Sequence, residues 1–217
     1  MIMTNSQNNP LVFFGNKENS FEKIKTDFPD LEFNKLKQVH SNIIVEACSS
    51  STEADSHFSS KVKTALLIST ADCMPIMIYC RQTHRIAAVH AGWRGVENKI
   101  TEKTLNRLIM TGSSNKDFKF WIGPHILQNS FEVTSETFSL LAKSQYDLNY
   151  EDYATVKNDK YFVALNVMVE SQIKHVLNTT PEIVYFNIDT RSSDNYYSYR
   201  RNPTLTERNL SFICLLS

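Results

Sequence analysis

Three side chains in this sequence are of types that hold soft divalent metals or act as nucleophile and base. They are His40, Cys73 within TADCMP, and His90 within AVHAGWRG, each at or beside a strand end bordered by a chain-breaking residue. Thirty-two and then sixteen residues intervene between them, a spacing that fits no local metal motif, so only the fold can bring them together. Two imidazoles and one thiolate form a borderline-soft donor set suited to zinc, and three protein ligands leave a fourth tetrahedral position open for water or substrate. The same residues admit other chemistry. A cysteine between apolar strands commonly packs as a small apolar group, and Cys73 with His90 as its base would make a metal-free thiol nucleophile. With Met74 as an axial ligand the trio would compose a blue-copper centre, although six histidines are too few for a multicopper oxidase.

The elements that must position these residues are read from apolar periodicity. LVFF at 11–14 reads as a strand, and KLKQVHSNIIVEA at 35–47 as a second, with Val39, Ile43 and Val45 on one face and Gln38, His40 and Asn42 on the polar other. The small, polar stretch from Cys48 to Lys61 reads as a surface loop. TALLIST, IMIYC and IAAVHA are continuous apolar runs of strand length, which predicts a central sheet covered on both sides, with Pro75 interrupting the pairing. From Arg94 to about Met110 the spacing of Val96, Ile100, Leu105, Leu108 and Ile109 predicts one helix stopped at Gly112. FKFWIG is then a strand, SETFSLLAKS a short helix and LNVMVESQIKHVL a longer one. EIVYFNI, YYSYR and NLSFICLL close the chain as strands. Strands and helices mix without strict alternation, so the pattern favours α+β over a doubly wound parallel sheet.

Bulk properties set the remaining bounds. Residues 1–217 suit one domain, and 23 Lys+Arg balance 23 Asp+Glu, so there is no bulk attraction to nucleic acid or to an anionic membrane. The opening MIMTNSQNNP does not read as a secretory signal and no stretch is long enough to span a bilayer, which places the protein in the cytoplasm. Cys48, Cys73, Cys80 and Cys214 are scattered, against a disulfide framework. Cys80 and Cys214 read as core, Cys48 as a loop or strand-end residue without partners, and His57, His84, His125 and His175 as solvated.

QVHS at 38–41, EAD at 53–55, STADCMPIMIY at 69–79 and AVHAGWRGV at 88–96 resemble the motifs of the bacterial laccase-domain or polyphenol-oxidase family, also described as purine nucleoside phosphorylase-like and as peptidoglycan editing factors. IGP with FEV at 122–133 and SYRRNPTLTERNLSFI at 198–213 follow in the family's order. The resemblance implies a four-layer αββα sandwich with mixed sheets, and His40, Cys73 and His90 as zinc ligands. It also implies a purine nucleoside and phosphate as substrates, with phosphorolysis of adenosine, inosine and methylthioadenosine, and adenosine deamination. Gln38, Arg94, Arg200 and Arg201 then become candidates for holding substrate or phosphate. Arg94 could equally clamp the turn that carries it. Asp55 and Asp72 are candidates, with Cys73, for the chemistry itself, by orienting a ligand imidazole or handling a proton, and Asp72 could equally cap the turn before Pro75.

Three departures bear on the substrate. LVFFGNKENSFEK carries neither the family's Arg-Gly-Gly-x-Ser stretch nor its Asn-Leu-Gly stretch, Gln128-Asn129-Ser130 stands where relatives often have a cysteine, and TERN keeps Arg208 but loses the glycine of Thr-Gly-Arg. Alternatives to a zinc nucleoside enzyme are a hydrolase editing misbuilt muramyl-peptide cell-wall precursors, a copper-dependent polyphenol oxidase, and a non-enzymatic module stabilised by its metal.

Overall fold

The computed structural model describes residues 1–4, 10–47, 52–113, 117–146 and 148–216. Chain order begins with β1 (Ile2–Thr4), β2 (Leu11–Phe14), α1 (Phe21–Asp27), β3 (Glu32–Lys35), β4 (Ile44–Glu46), β5 (Ser56–Ser59), β6 (Thr64–Thr70), β7 (Met74–Cys80) and β8 (Arg85–Ala91). Then follow α2 (Trp93–Glu97), α3 (Ile100–Met110), β9 (Phe118–Ile122), β10 (Glu132–Val133), α4 (Ser135–Lys143), α5 (Tyr150–Tyr153), β11 (Ala154–Lys157), β12 (Lys160–Val163), α6 (Leu165–Leu177), β13 (Glu182–Tyr185) and β14 (Asn209–Cys214). One sheet has the order β13-β9-β7-β8-β5-β4, a second β1-β2-β14-β6-β3, and a small third β10-β12-β11. Both large sheets are mixed: β7 pairs antiparallel with β8 and β9, while β13–β9 and β3–β6 are parallel.

The layering follows from side chains alternating across each strand. In β7, Ile76 and Ile78 enter a core shared with Leu105 and Leu108 of α3 and Val169 and Ile173 of α6, whereas Met77 and Tyr79 point the other way. Those two meet Leu66 and Ile68 of β6 and Val12 and Phe14 of β2, which is the core between the sheets. On the far side of the second sheet, Leu67, Phe13 and Phe212 pack with Ile24 of α1. Each central strand therefore needs apolar residues at every position, because each of its faces meets a different core. The result is α+β, layered helix, sheet, sheet, helix.

Several expectations are corrected. The three apolar runs do not share one sheet, for β6 lies in the sheet opposite β7 and β8. Residues 35–47 are not one strand: His40 is left-handed at φ 59°, and the carboxylate of Asp55 takes the backbone N–H groups of Val39, His40 and Ser41 that a ladder would have used. Within 48–61, Cys48 to Ser51 lie outside the described residues, but Ser56–Ser59 form a fully buried strand between β4 and β8. The helix expected from Arg94 is two, broken at left-handed Lys99, where the Gln172 amide donates to the Val96 carbonyl. YYSYR is not a strand, since the Asn209 side chain and the Asp72 carboxylate bind its backbone instead. His57 and His125 are buried rather than solvated: the His57 Nδ1 pairs with Asn34 Oδ1 at 2.7 Å and burial pulls its imidazole down to about 3, while the His125 Nδ1 donates to the Gly123 carbonyl.

Candidate metal centre

β7 and β8 form a hairpin in which Pro75 faces His90, so the turn before β7 and the end of β8 lie side by side. Cys73 sits in that turn, half-buried, and His90 is buried at the strand end. His40 arrives from the exposed loop that Asp55 holds. The donor atoms of His40, Cys73 and His90 all lie within 4.8 Å of one another, with the Cys73 sulfur 3.8 Å from His40 Nε2 and the two imidazoles edge to face. For a tetrahedral zinc, bond lengths of about 2.3 Å to sulfur and 2.0 Å to nitrogen set sulfur and nitrogen roughly 3.5 Å apart. The residues fit such an ion. Gly92 completes the cradle, because a Cβ there would stand 3.0 Å from the Cys73 sulfur and 3.1 Å from His40 Cδ2.

Asp55 organises two of these donors. Wholly buried, its carboxylate accepts from His90 Nδ1 at 2.7 Å and from the Ser41 N–H and hydroxyl at 2.6 and 2.7 Å, besides the N–H groups of Val39 and His40. A carboxylate only accepts, so the His90 proton sits on Nδ1 and the Nε2 lone pair is left for the site. Burial alone would raise the Asp55 carboxyl, but His90 and Ser41 outweigh it and bring it down to about 2. Burial likewise opposes the charged forms of its neighbours, yet the imidazoles of His90 and His40 bring the Cys73 thiol down to about 6. The Cys73 thiolate and Asp55 raise His90 to about 9. Without metal these shifts favour a Cys73 thiolate and a His90 imidazolium beside the Asp55 carboxylate.

A cavity of about 790 Å³ opens on this cluster, and its walls bring in Gln38, Asp72, Arg94 and Arg200 from the expected set. Arg94 is exposed, stacks on Trp93 at 4.4 Å, and spends none of its guanidinium on a hydrogen bond among the described residues. Arg200 gives one N–H to the Glu132 carbonyl and lies over the Phe131 ring. Gln38 exchanges hydrogen bonds with both backbone groups of Ser69, so its amide fastens the His40 loop to β6. Both Asp72 oxygens are occupied, by the Thr190 hydroxyl and the Arg200 N–H. Arg201 is not in the cavity wall: its guanidinium binds the carbonyls of Thr190, Arg191, Ser193 and Tyr196. Sequence reasoning passed over Phe131, Tyr199 and Arg208, which also line the cavity although FEV, SYRR and TERN contain them.

A two-sheet α+β sandwich with a three-donor site at the mouth of a cavity is the class of protein so defined. The chain belongs to the family described as "Multi-copper polyphenol oxidoreductase laccase", which matches residues 7–216. "Purine nucleoside phosphorylase CA_C1699" of Clostridium acetobutylicum is 33% identical over 82% of this chain and 75% of that protein. "Purine nucleoside phosphorylase RP494" of Rickettsia prowazekii is 29% identical over 90% and 83%. Among solved structures, YlmD from Geobacillus stearothermophilus superposes with a TM-score of 0.87 over 100% of this chain and 99% of that one at 16% identity. The Bacillus licheniformis hypothetical protein YfiH superposes with a TM-score of 0.86 over 98% of each chain at 18% identity. At such identities the likeness concerns the fold. Among the described residues no helix is long and apolar enough to cross a membrane.

Proposed function

We propose that this protein is a zinc-dependent cytoplasmic enzyme acting on purine nucleosides, by phosphorolysis of adenosine, inosine and methylthioadenosine and by deamination of adenosine. The observation that carries the proposal is the placing of three potential metal donors and three arginines, Arg94, Arg200 and Arg208, around one cavity. The names of the relatives supply the substrate class. A divalent ion held by His40, Cys73 and His90 would supply Lewis acidity and an acidified water at neutral pH.

The rest falls to the chain's own residues. In a protein with no net charge, a cavity wall carrying three arginines is a local seat for a phosphate. Arg94 offers it a whole planar fork, which matches two phosphate oxygens at once. Phosphorolysis then needs a phosphate oxygen to bond C1′ as the glycosidic C–N bond breaks and the base leaves with a proton, giving ribose 1-phosphate. Asp55 keeps His90 in one tautomer throughout.

Incubation of the zinc-loaded protein with adenosine and phosphate yields adenine and ribose 1-phosphate, or inosine and ammonia. Activity disappears on chelation and returns with zinc. Neither product from a protein carrying one zinc per chain refutes the proposal.

A further inference from the structure

Asp72 adjoins Cys73, yet both of its oxygens accept hydrogen bonds from residues outside the donor cluster. Its side chain, 8% exposed, reaches away from Cys73 to two segments more than a hundred residues downstream. Oδ1 accepts from the hydroxyl of wholly buried Thr190 at 2.7 Å, and Oδ2 accepts from the backbone N–H of Arg200 at 2.6 Å. The Asp72 carbonyl accepts a third bond, from the Ile126 N–H at 2.9 Å. To make these contacts the residue adopts φ +83°, a left-handed conformation that carries a strain cost for any side chain but is least unfavourable for Asn and Asp.

The Arg200 N–H lies in the turn from which Tyr199, 53% exposed, and Arg200 line the cavity. That turn has no ladder of its own. Its backbone is held from Asp72 at Arg200, from Asn209 two residues upstream at Tyr197, and locally by Ser198, whose hydroxyl and carbonyl accept from the N–H groups of Arg201 and Asn202. Arg201 fastens the neighbouring 190–196 stretch, to which Thr190 belongs. Among the described residues Asp72 thus joins the turn that carries the Cys73 sulfur to the turn that carries Tyr199 and Arg200.

We infer that Asp72 is a positioning residue that fixes the Tyr199–Arg200 turn against the Cys73 turn, setting the distance between the metal donors and the phosphate seat. The two aspartates then divide the labour: Asp55 orients a donor, and Asp72 registers the opposite wall. The part concerning phosphate rests on the function proposed above; the part concerning the turn does not.

The test uses the full-length zinc-loaded protein and four variants. Asp72→Gly removes the carboxylate and suits the positive φ. Asp72→Asn tolerates that φ and keeps one oxygen acceptor. Thr190→Val removes only the hydroxyl, and Thr190→Ser restores it. Amide hydrogen exchange reads the turn, calorimetry reads inorganic phosphate, and metal analysis reads zinc.

In Asp72→Gly, exchange at residues 198–201 speeds by about tenfold or more and the phosphate Kd weakens by about tenfold, the scale of one lost hydrogen bond to a charged group. Zinc stays at one per chain. Asp72→Asn and Thr190→Val fall between, and Thr190→Ser matches the parent. Unchanged exchange at 198–201 in Asp72→Gly overturns the inference, as does loss of zinc with that turn still protected. If the parent itself binds no phosphate, the exchange result still decides whether Asp72 holds the turn, and it is the proposed function that fails.

Discussion

Asp55→Asn tests the donor cluster most directly, because it changes one atom of a wholly buried group while keeping its shape. Oδ2 of Asp55 receives three donors, from Val39, Ser41 and the Ser41 hydroxyl, and Oδ1 receives two, from His40 and His90 Nδ1. An asparagine keeps its oxygen where three donors converge, so its NH₂ group faces the His40 N–H and His90 Nδ1. The His90 proton must then move to Nε2 so that Nδ1 can accept, which removes the lone pair the metal needs. The His40 N–H has no such escape and stays unpaired, costing about 1–3 kcal/mol. Loss of a carboxylate that orients a ligand histidine lowers metal affinity by roughly 10–100-fold. Competition of the apo-protein with a chromogenic chelator measures the zinc affinity, and urea unfolding of the same apo-protein measures the stability. A variant that binds zinc within about twofold of the parent would refute the reasoning, for it would mean that the Asp55–His90 bond does not select the tautomer.

Gly92→Ala places a methyl group 3.0 Å from the Cys73 sulfur, so zinc affinity falls by about tenfold or more while far-ultraviolet circular dichroism is unchanged, since Gly92 has φ −75° and the clash falls on the ligand side chains rather than on the backbone. Zinc uptake releases protons in a pattern that the two shifted ligands set. His90, raised to about 9, must give up its proton at any pH below that value, and Cys73, lowered to about 6, must do so below 6. Calorimetry in buffers of differing ionisation enthalpy therefore detects at least one proton released between those values and more below 6, with apparent affinity rising ~10-fold or more per pH unit between them. No proton release at pH 7.5 would contradict this. Arg94→Ala raises the phosphate KM by about 10–100-fold in a steady-state phosphorolysis assay, because a charge-assisted pair is removed and among the described residues no carbonyl competes for the guanidinium; an unaltered KM would move the phosphate seat elsewhere.

The parts of this molecule that alternation controls were open to sequence reasoning. β6, β7, β8 and α6 coincide with apolar runs whose length and period name the element. What alternation could not reveal was the sheet each run joins, because a strand buried on both faces reads the same in either. The polar stretch that hides β5 failed for a different reason. Ser56 and His57 are buried there because the Ser56 hydroxyl accepts from Thr104 and the His57 ring pairs with Asn34, partners that composition does not announce. His40 was identifiable by type, but its left-handed backbone depends on a carboxylate fifteen residues further on. Arg94 and Arg201 are the sharpest case. Both lie within a family motif, yet one fork is free among the described residues and the other is filled by four carbonyls, a difference set wholly by tertiary placement.

The charge of the donor cluster constrains what it can hold. In the metal-free protein near neutrality, Asp55 and Cys73 contribute two negative charges and His90 one positive, so the three groups with shifted ionisation carry a net negative charge where His90 and Asp55 are buried. Binding a divalent ion with loss of the His90 proton brings those groups and the ion to zero, which removes the penalty of an uncompensated buried charge. A monovalent ion displacing the same proton would leave the deficit in place. The arrangement therefore suits a dication better than a monovalent ion, and the Asp55 carboxylate supplies one of the two negative charges that a dication would balance.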